Sequence, residues 1–111
     1  MLLPNGLRAI ASVAKLANYC LDPNHPRGRH KARASAAGLG LTREHAFLLR
    51  STLLEAAAVA DTVVLGAVDG FGARYVLDLI LSGPKGMALL RSVWIVKTHE
   101  DFPRFVTCFP L

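Results

Sequence analysis

The chain has 111 residues, of which 52% are hydrophobic and 19% charged, with a formal net charge of +5. A length of this order supports one core without disulfide or metal staples, and the composition excludes a disordered chain. The apolar runs at 53–60 and 63–68 are interrupted or ended by Glu55, Asp61 and Asp69, too soon for a membrane span.

The first 14 residues, MLLPNGLRAIASVA, carry Arg8 within their apolar stretch, Pro4, and no basic region ahead of it. A cleaved leader is not expected from that pattern, and a cytoplasmic location is. Ser12 suits an N-cap for a short helix, in which Val13, Leu16 and Cys20 recur at helical spacing and Tyr19 and Leu21 widen the face. Asp22-Pro23 should stop it, because proline disfavours helical geometry in the residue before it.

The next stretch, LDPNHPRGRHKAR (21–33), concentrates cations. Residues 1–50 hold eight Lys or Arg against Asp22 and Glu44, whereas residues 51–111 hold five against six acids, so the net positive charge belongs to the N-terminal half. Such asymmetry points to a polyanion, an acidic partner or an acidic surface. Pro23 and Pro26 stiffen the turn, Gly28 permits close backbone approach, and Asp22 or Asn24 can close an Asx turn. Arg27, Arg29, Lys31 and Arg33 are the candidate anion-binding residues, at the start of a helix whose unpaired N–H groups add positive potential. His25 and His30 are candidate proton carriers near neutral pH. A solvated basic connection, with His25 packed over a proline, is the plain alternative.

The helix starting near Arg29 should end at Gly38 or Gly40, which suit a left-handed cap. Thr42 then caps a third helix with Glu44 in its first turn; Ala46, Leu49 and Leu53, joined by Phe47, Leu54 and Ala57, outline its buried face to about Ala60. Beyond Asp61 the period becomes two. Residues 74–81 alternate Tyr75, Leu77, Leu79 and Leu81 against Arg74, Val76, Asp78 and Ile80. SGPKG then reads as a hairpin turn, followed by 88–97, where Leu90, Ser92, Trp94 and Val96 alternate with Leu89, Arg91, Val93 and Ile95. RFVTCFPL supplies a last strand, and VVLGAV (63–68) a candidate fourth.

Helices followed by strands predict an α+β fold. About three N-terminal helices should cover one face of a three- to four-stranded antiparallel meander, as one domain with a helical half to about residue 60 and a sheet half from about 61. Trp94 is expected to anchor helices to sheet. Arg91 should lie on the opposite face, where it could meet an anion. Thr107 should share the face of Phe105 and Phe109, as a satisfied core hydroxyl or a site residue. Cys20 and Cys108 are expected as buried free thiols.

The motifs CLDPNHPRGRHKAR, GLGLTRE, GARYVLDLILSGPKG, RSVWIV and EDFPRFVTCFPL together resemble the bacterial family called domain of unknown function 6883, from about Lys15 to the end. Members of that family stand alone or end large toxin-like polypeptides. Their company and element order resemble, more distantly, the metal-independent ribonucleases of the barnase, colicin and RelE type. The resemblance implies an RNA-directed toxin-like domain with an acidic immunity or antitoxin-like partner, and a metal-independent endoribonuclease is its sharpest form.

That chemistry needs a base for the ribose 2′-hydroxyl, an acid for the leaving oxygen and cations for the phosphorane. His25 or His30 could move protons, Lys31 with Arg29 or Arg91 could stabilise charge, and Thr107 could assist. The alternative is a non-catalytic interaction module whose basic surface docks an acidic protein. No cofactor is expected: there is no Walker loop, GFG lacks a dinucleotide site's third glycine, no nucleophile elbow occurs, and Cys20, His25 and His30 are too irregularly spaced for zinc.

Overall fold

A computed structural model describes residues 1–111, apart from the side chains at positions 19, 31 and 35–38. The fold is α+β: helices precede a four-stranded antiparallel sheet of order β1-β2-β3-β4. A 3-10 turn, Gly6–Arg8, leads to α1 (Val13–Lys15), which widens into a π-helical segment, Leu16–Cys20. The Ser12 hydroxyl accepts from the Lys15 backbone N–H at 3.2 Å, as an N-cap should. This helical stretch ends at Cys20, two residues before the Asp22-Pro23 stop expected from sequence.

Helix α2 spans Arg29–Leu39 and ends at Gly40, whose φ of 73° is the left-handed geometry expected there. Gly38, the other candidate, lies outside the described residues. The Leu39 carbonyl accepts from the Lys85 backbone N–H at 3.1 Å, which ties the helix end to the β-hairpin. Gly83 permits this approach, because a Cβ there would run into that same carbonyl. A 3-10 turn, Arg43–His45, feeds α3 (Ala46–Val59), with Ala60 as its C-cap.

Strands β1 (Val64–Asp69), β2 (Gly72–Gly83), β3 (Gly86–Lys97) and β4 (Pro103–Pro110) form the meander. The β2–β3 pairing closes at Gly83 opposite Gly86, so Pro84 and Lys85 make a two-residue turn. Leu77, Leu81, Leu90, Trp94, Phe105 and Cys108 from the sheet join Leu16, Leu39, Leu41, Leu49 and Leu53 from the helical half in one core. Trp94 is fully buried, stacks edge-to-face on Phe105 at 5.5 Å, and donates its indole N–H to Ser92 Oγ at 2.9 Å. Ser92 Oγ in turn donates to the Leu77 carbonyl, so the buried polar atoms at the centre of the sheet are satisfied.

The candidate fourth strand is present as β1, at the edge of the sheet and exposed along its whole length. The other edge is partly covered: Ile10 bridges β4, donating to the Pro103 carbonyl and accepting from the Phe105 N–H. No helix among the described residues is long and apolar enough to cross a membrane.

One face assignment differs from the alternation. A register shift in β4 sets Phe105 opposite Trp94 but Thr107 opposite Val93, Cys108 opposite Ser92 and Phe109 opposite Arg91. This is the signature of a β-bulge, which inserts an extra residue and reverses the parity of everything after it. Phe105 therefore shares Trp94's side and Phe109 shares Arg91's, so the three residues 105, 107 and 109 do not line one face. Cys108, and not Phe109, takes the next core position.

Candidate anion site at the start of the second helix

The turn between Cys20 and α2 is built as its residue types suggest. Asp22 Oδ1 accepts from the Asn24 backbone N–H at 2.9 Å, closing an Asx turn, and the His25 N–H donates to the Asp22 carbonyl. His25 then has a role the sequence did not reveal. Its Nδ1 accepts from the backbone N–H groups of both Arg27 and Gly28, each at 3.0 Å, which gives the imidazole the part of a helix-capping acceptor. An accepting Nδ1 carries no proton, so in this tautomer the ring proton sits on Nε2. His45 repeats the device on α3, where its Nδ1 accepts from the Thr42 backbone N–H at 3.0 Å. There the Thr-x-x-His spacing stands in for the familiar Thr-x-x-Glu capping box and could have been recognised in the sequence.

Around this scaffold, Arg27, Arg29, His30 and Arg33 are exposed, while Gly28 is buried and His25 half-buried. Pro23 and Pro26 lie on the surface of the turn. Lys31, the remaining candidate, has a side chain outside the described residues. Among the described residues no carboxylate pairs with Arg27, Arg29 or Arg33. Beside the turn lies a cleft of about 380 Å³, lined by Leu21, Pro23, Ala32, Leu41, Thr42, Arg43 and Glu44. Arg43 is held on its far wall, donating to the Ala17 carbonyl and to Asn18 Oδ1.

The two sheet candidates have different positions. Arg91 lies on the sheet face away from the helices, where its Nε and Nη2 donate to the two carboxylate oxygens of Asp78, each at 2.9 Å. This bidentate hydrogen bond, with the accompanying charge attraction, holds the Asp78 carboxyl below its ordinary range. Arg91 is therefore not brought together with His25. The pairing was implicit in the sequence: Asp78 lies five residues before Gly83 and Arg91 five after Gly86, so a two-residue hairpin sets them opposite each other. Thr107 is nearer the turn, because its side chain hydrogen-bonds Cys20, the residue that closes the π-helical segment.

Cys20 and Cys108 are both free and buried. The Cys20 thiol is pushed down to about 7, first by a hydrogen bond from the Cys108 thiol and further by Cys108's backbone, Thr107 and the charge of Lys15, against the opposing effect of burial. Among the described residues no three His, Cys, Asp or Glu side chains converge as a metal site would require.

Against known proteins, the matching pattern is that of the family described as Domain of unknown function (DUF6883), and it runs over residues 2–111. The chain belongs to that family. Among solved structures it is similar to a chain of the contact-dependent growth inhibition toxin–immunity protein complex from Klebsiella pneumoniae 342, with a TM-score of 0.70 and 16% identity over 92% of this chain and 99% of that one. At that identity the likeness is one of fold. No curated protein matches the chain.

Proposed function

We propose that this chain is a toxin-like domain that binds RNA through the cationic start of α2 and cleaves it without a metal ion. The observation that carries the reading is the set of exposed arginines, Arg27, Arg29 and Arg33, which surround a histidine-capped helix start and lack acidic partners among the described residues. Phosphates attract such a surface, and helix N–H dipoles add to the field. The fold shared with a chain of a toxin–immunity complex supports the same reading.

In the proposed reaction the ribose 2′-hydroxyl attacks the adjacent phosphate. Arg29, with Lys31 and Arg33, offsets the charge of the phosphorane. His25 serves as the acid for the leaving 5′-oxygen in its imidazolium form, reached when Nδ1 releases the cap and takes up a proton while Nε2–H faces the leaving group, and His30 on the first turn of α2 serves as base. The apolar walls of the neighbouring cleft, Leu21, Pro23 and Leu41, suit a base more than a phosphate. The domain works in the cytoplasm, and an acidic immunity protein neutralises it by covering the arginines.

The test uses cellular RNA, excess chelator and highly purified protein. Wild type should cleave; His25→Ala should lose cleavage while keeping most RNA affinity. His25→Asn supplies a capping acceptor without a titrating ring, so it should recover the roughly 1 kcal/mol of stability that a lost cap costs but no activity. If His25→Asn cleaves like wild type, His25 is only a cap. If wild type shows no chelator-resistant cleavage above the His25→Ala background, the nuclease reading fails and a non-catalytic module that docks an acidic protein takes its place.

A further inference from the structure

Cys20 and Cys108 are the chain's only two cysteines, and although 88 residues separate them both belong to the one core, where the Cys108 thiol hydrogen-bonds Cys20. Cys20 closes the π-helical segment immediately ahead of the basic turn; Cys108 is the inward residue that follows the bulge in β4. Both are reduced, with exposures of 1% and 4%, and their thiols are within hydrogen-bonding reach of each other. The proposed RNA chemistry uses neither.

We propose that Cys20 and Cys108 are a redox site that closes to a disulfide by exchange with a low-molecular-weight disulfide, stapling the entry of the basic turn to edge strand β4. The reaction has two steps. The Cys20 thiolate attacks one sulfur of oxidised glutathione, forming a mixed disulfide and expelling one glutathione thiolate, which takes up a proton. The Cys108 thiol then loses its proton to solvent and attacks the Cys20 sulfur, forming the intramolecular bond and expelling the second glutathione. Two electrons pass from the dithiol to one oxidised glutathione, which ends as two thiols.

The attack is assigned to Cys20 because the Cys108 thiol and the Thr107 side chain hydrogen-bond its sulfur and Lys15 contributes charge, all of which favour a thiolate there. Burial controls the rate. An oxidant of this size reaches Cys20 only when the segment Leu16–Cys20 opens away from β4, so exchange follows local opening and not the intrinsic reactivity of the thiol. Once formed, the bond closes a loop of most of the chain, and such a loop strongly restricts the unfolded state.

The full-length protein, incubated across a series of oxidised-to-reduced glutathione ratios, tests this. The expected product is a monomer lighter by two hydrogens, with no thiol reactive to a labelling reagent after denaturation. Proteolytic fragments containing Cys20 and Cys108 should remain joined until reduced, and the unfolding midpoint should lie roughly 10 °C above that of the reduced protein. Closure should be accelerated by urea well below the unfolding midpoint. The fragment map is read on wild type, so it stands even if Cys20→Ser or Cys108→Ser fails to fold. Glutathione retained on Cys20, disulfide-linked dimers, or a closed form that melts no higher than the reduced protein would each overturn the proposal. None of these readouts involves RNA, so the proposal stands or falls separately from the nuclease.

Discussion

On the sheet, Arg74, Arg91 and Arg104 are held at 2.7–2.9 Å by Asp69, Asp78 and Glu100, whereas Arg27, Arg29 and Arg33 beside the second helix reach into solvent with no carboxylate partner among the described residues. Arg8 follows the sheet pattern through Asp101, and Phe102 lies under both Arg8 and Arg104. The difference separates two uses of one residue type. A guanidinium already bound by a carboxylate fork offers a second anion little net charge, and exposed pairs of this kind add little stability. An arginine left without an acid adds to a long-range field that draws in an anion. The net charge of +5 therefore understates the local potential at the turn, because four of the chain's eight acids are paired with arginines elsewhere.

If that division is right, the largest stability effect should come from the core beneath the ion pairs and not from the pairs. Trp94→Ala removes a fully buried ring, its contact with Phe105 and the donor to Ser92. Urea unfolding should show a loss of about 3–5 kcal/mol, as for other large aromatic truncations. A stable, folded variant with lost RNA binding would instead make Trp94 a binding residue.

A second effect should fall on binding alone. Arg29→Ala combined with Arg33→Ala should leave the unfolding midpoint nearly unchanged, reduce affinity for single-stranded RNA about tenfold at low salt, and lower the slope of log affinity against log salt by about 1.4, the value for two lost phosphate contacts. An unchanged slope would remove these arginines from the interface and erase the contrast with the sheet.

The smallest effect concerns the pairs themselves. Asp78 and Glu100 are held below their ordinary pKa chiefly by the guanidinium that each binds, and Asp101 likewise by Arg8; Asp69 is lowered first by the Phe71 backbone N–H and then by Arg74. A carboxyl depressed in the folded state favours folding while it is ionised. Its contribution is complete above the unfolded pKa, near 4, and disappears as pH falls through the lower folded value. Thermal midpoints should therefore be level from about pH 7 to about pH 5 and decline below about pH 4. Asp78→Asn should take away a small part of that decline, and a larger loss at neutral pH would show that the Arg91 pair supports the fold more than its exposure suggests.

Local chemistry was readable from the residues themselves. The two-residue period placed β2 and β3 and the faces they bury, Pro84-Lys85 between glycines marked their turn, and Ser12, Gly40 and Thr42 bounded helices because capping depends on neighbours within a few positions. The excess of cations at 27–33 is likewise a fact of sequence. What required the tertiary structure were relations whose partners lie far apart or depend on register. The bulge in β4 arises in its pairing with β3, and alternation within one strand carries no trace of it, which is why Phe105 and Phe109 were assigned to a single face. The turn chemistry around His25 was visible, but that its Nδ1 caps α2 depends on how tightly the two prolines fold the chain back on itself. Cys20 and Cys108 are brought together only because the helical layer packs on the edge strand, a contact set by burial of the whole core and not by either cysteine's neighbours.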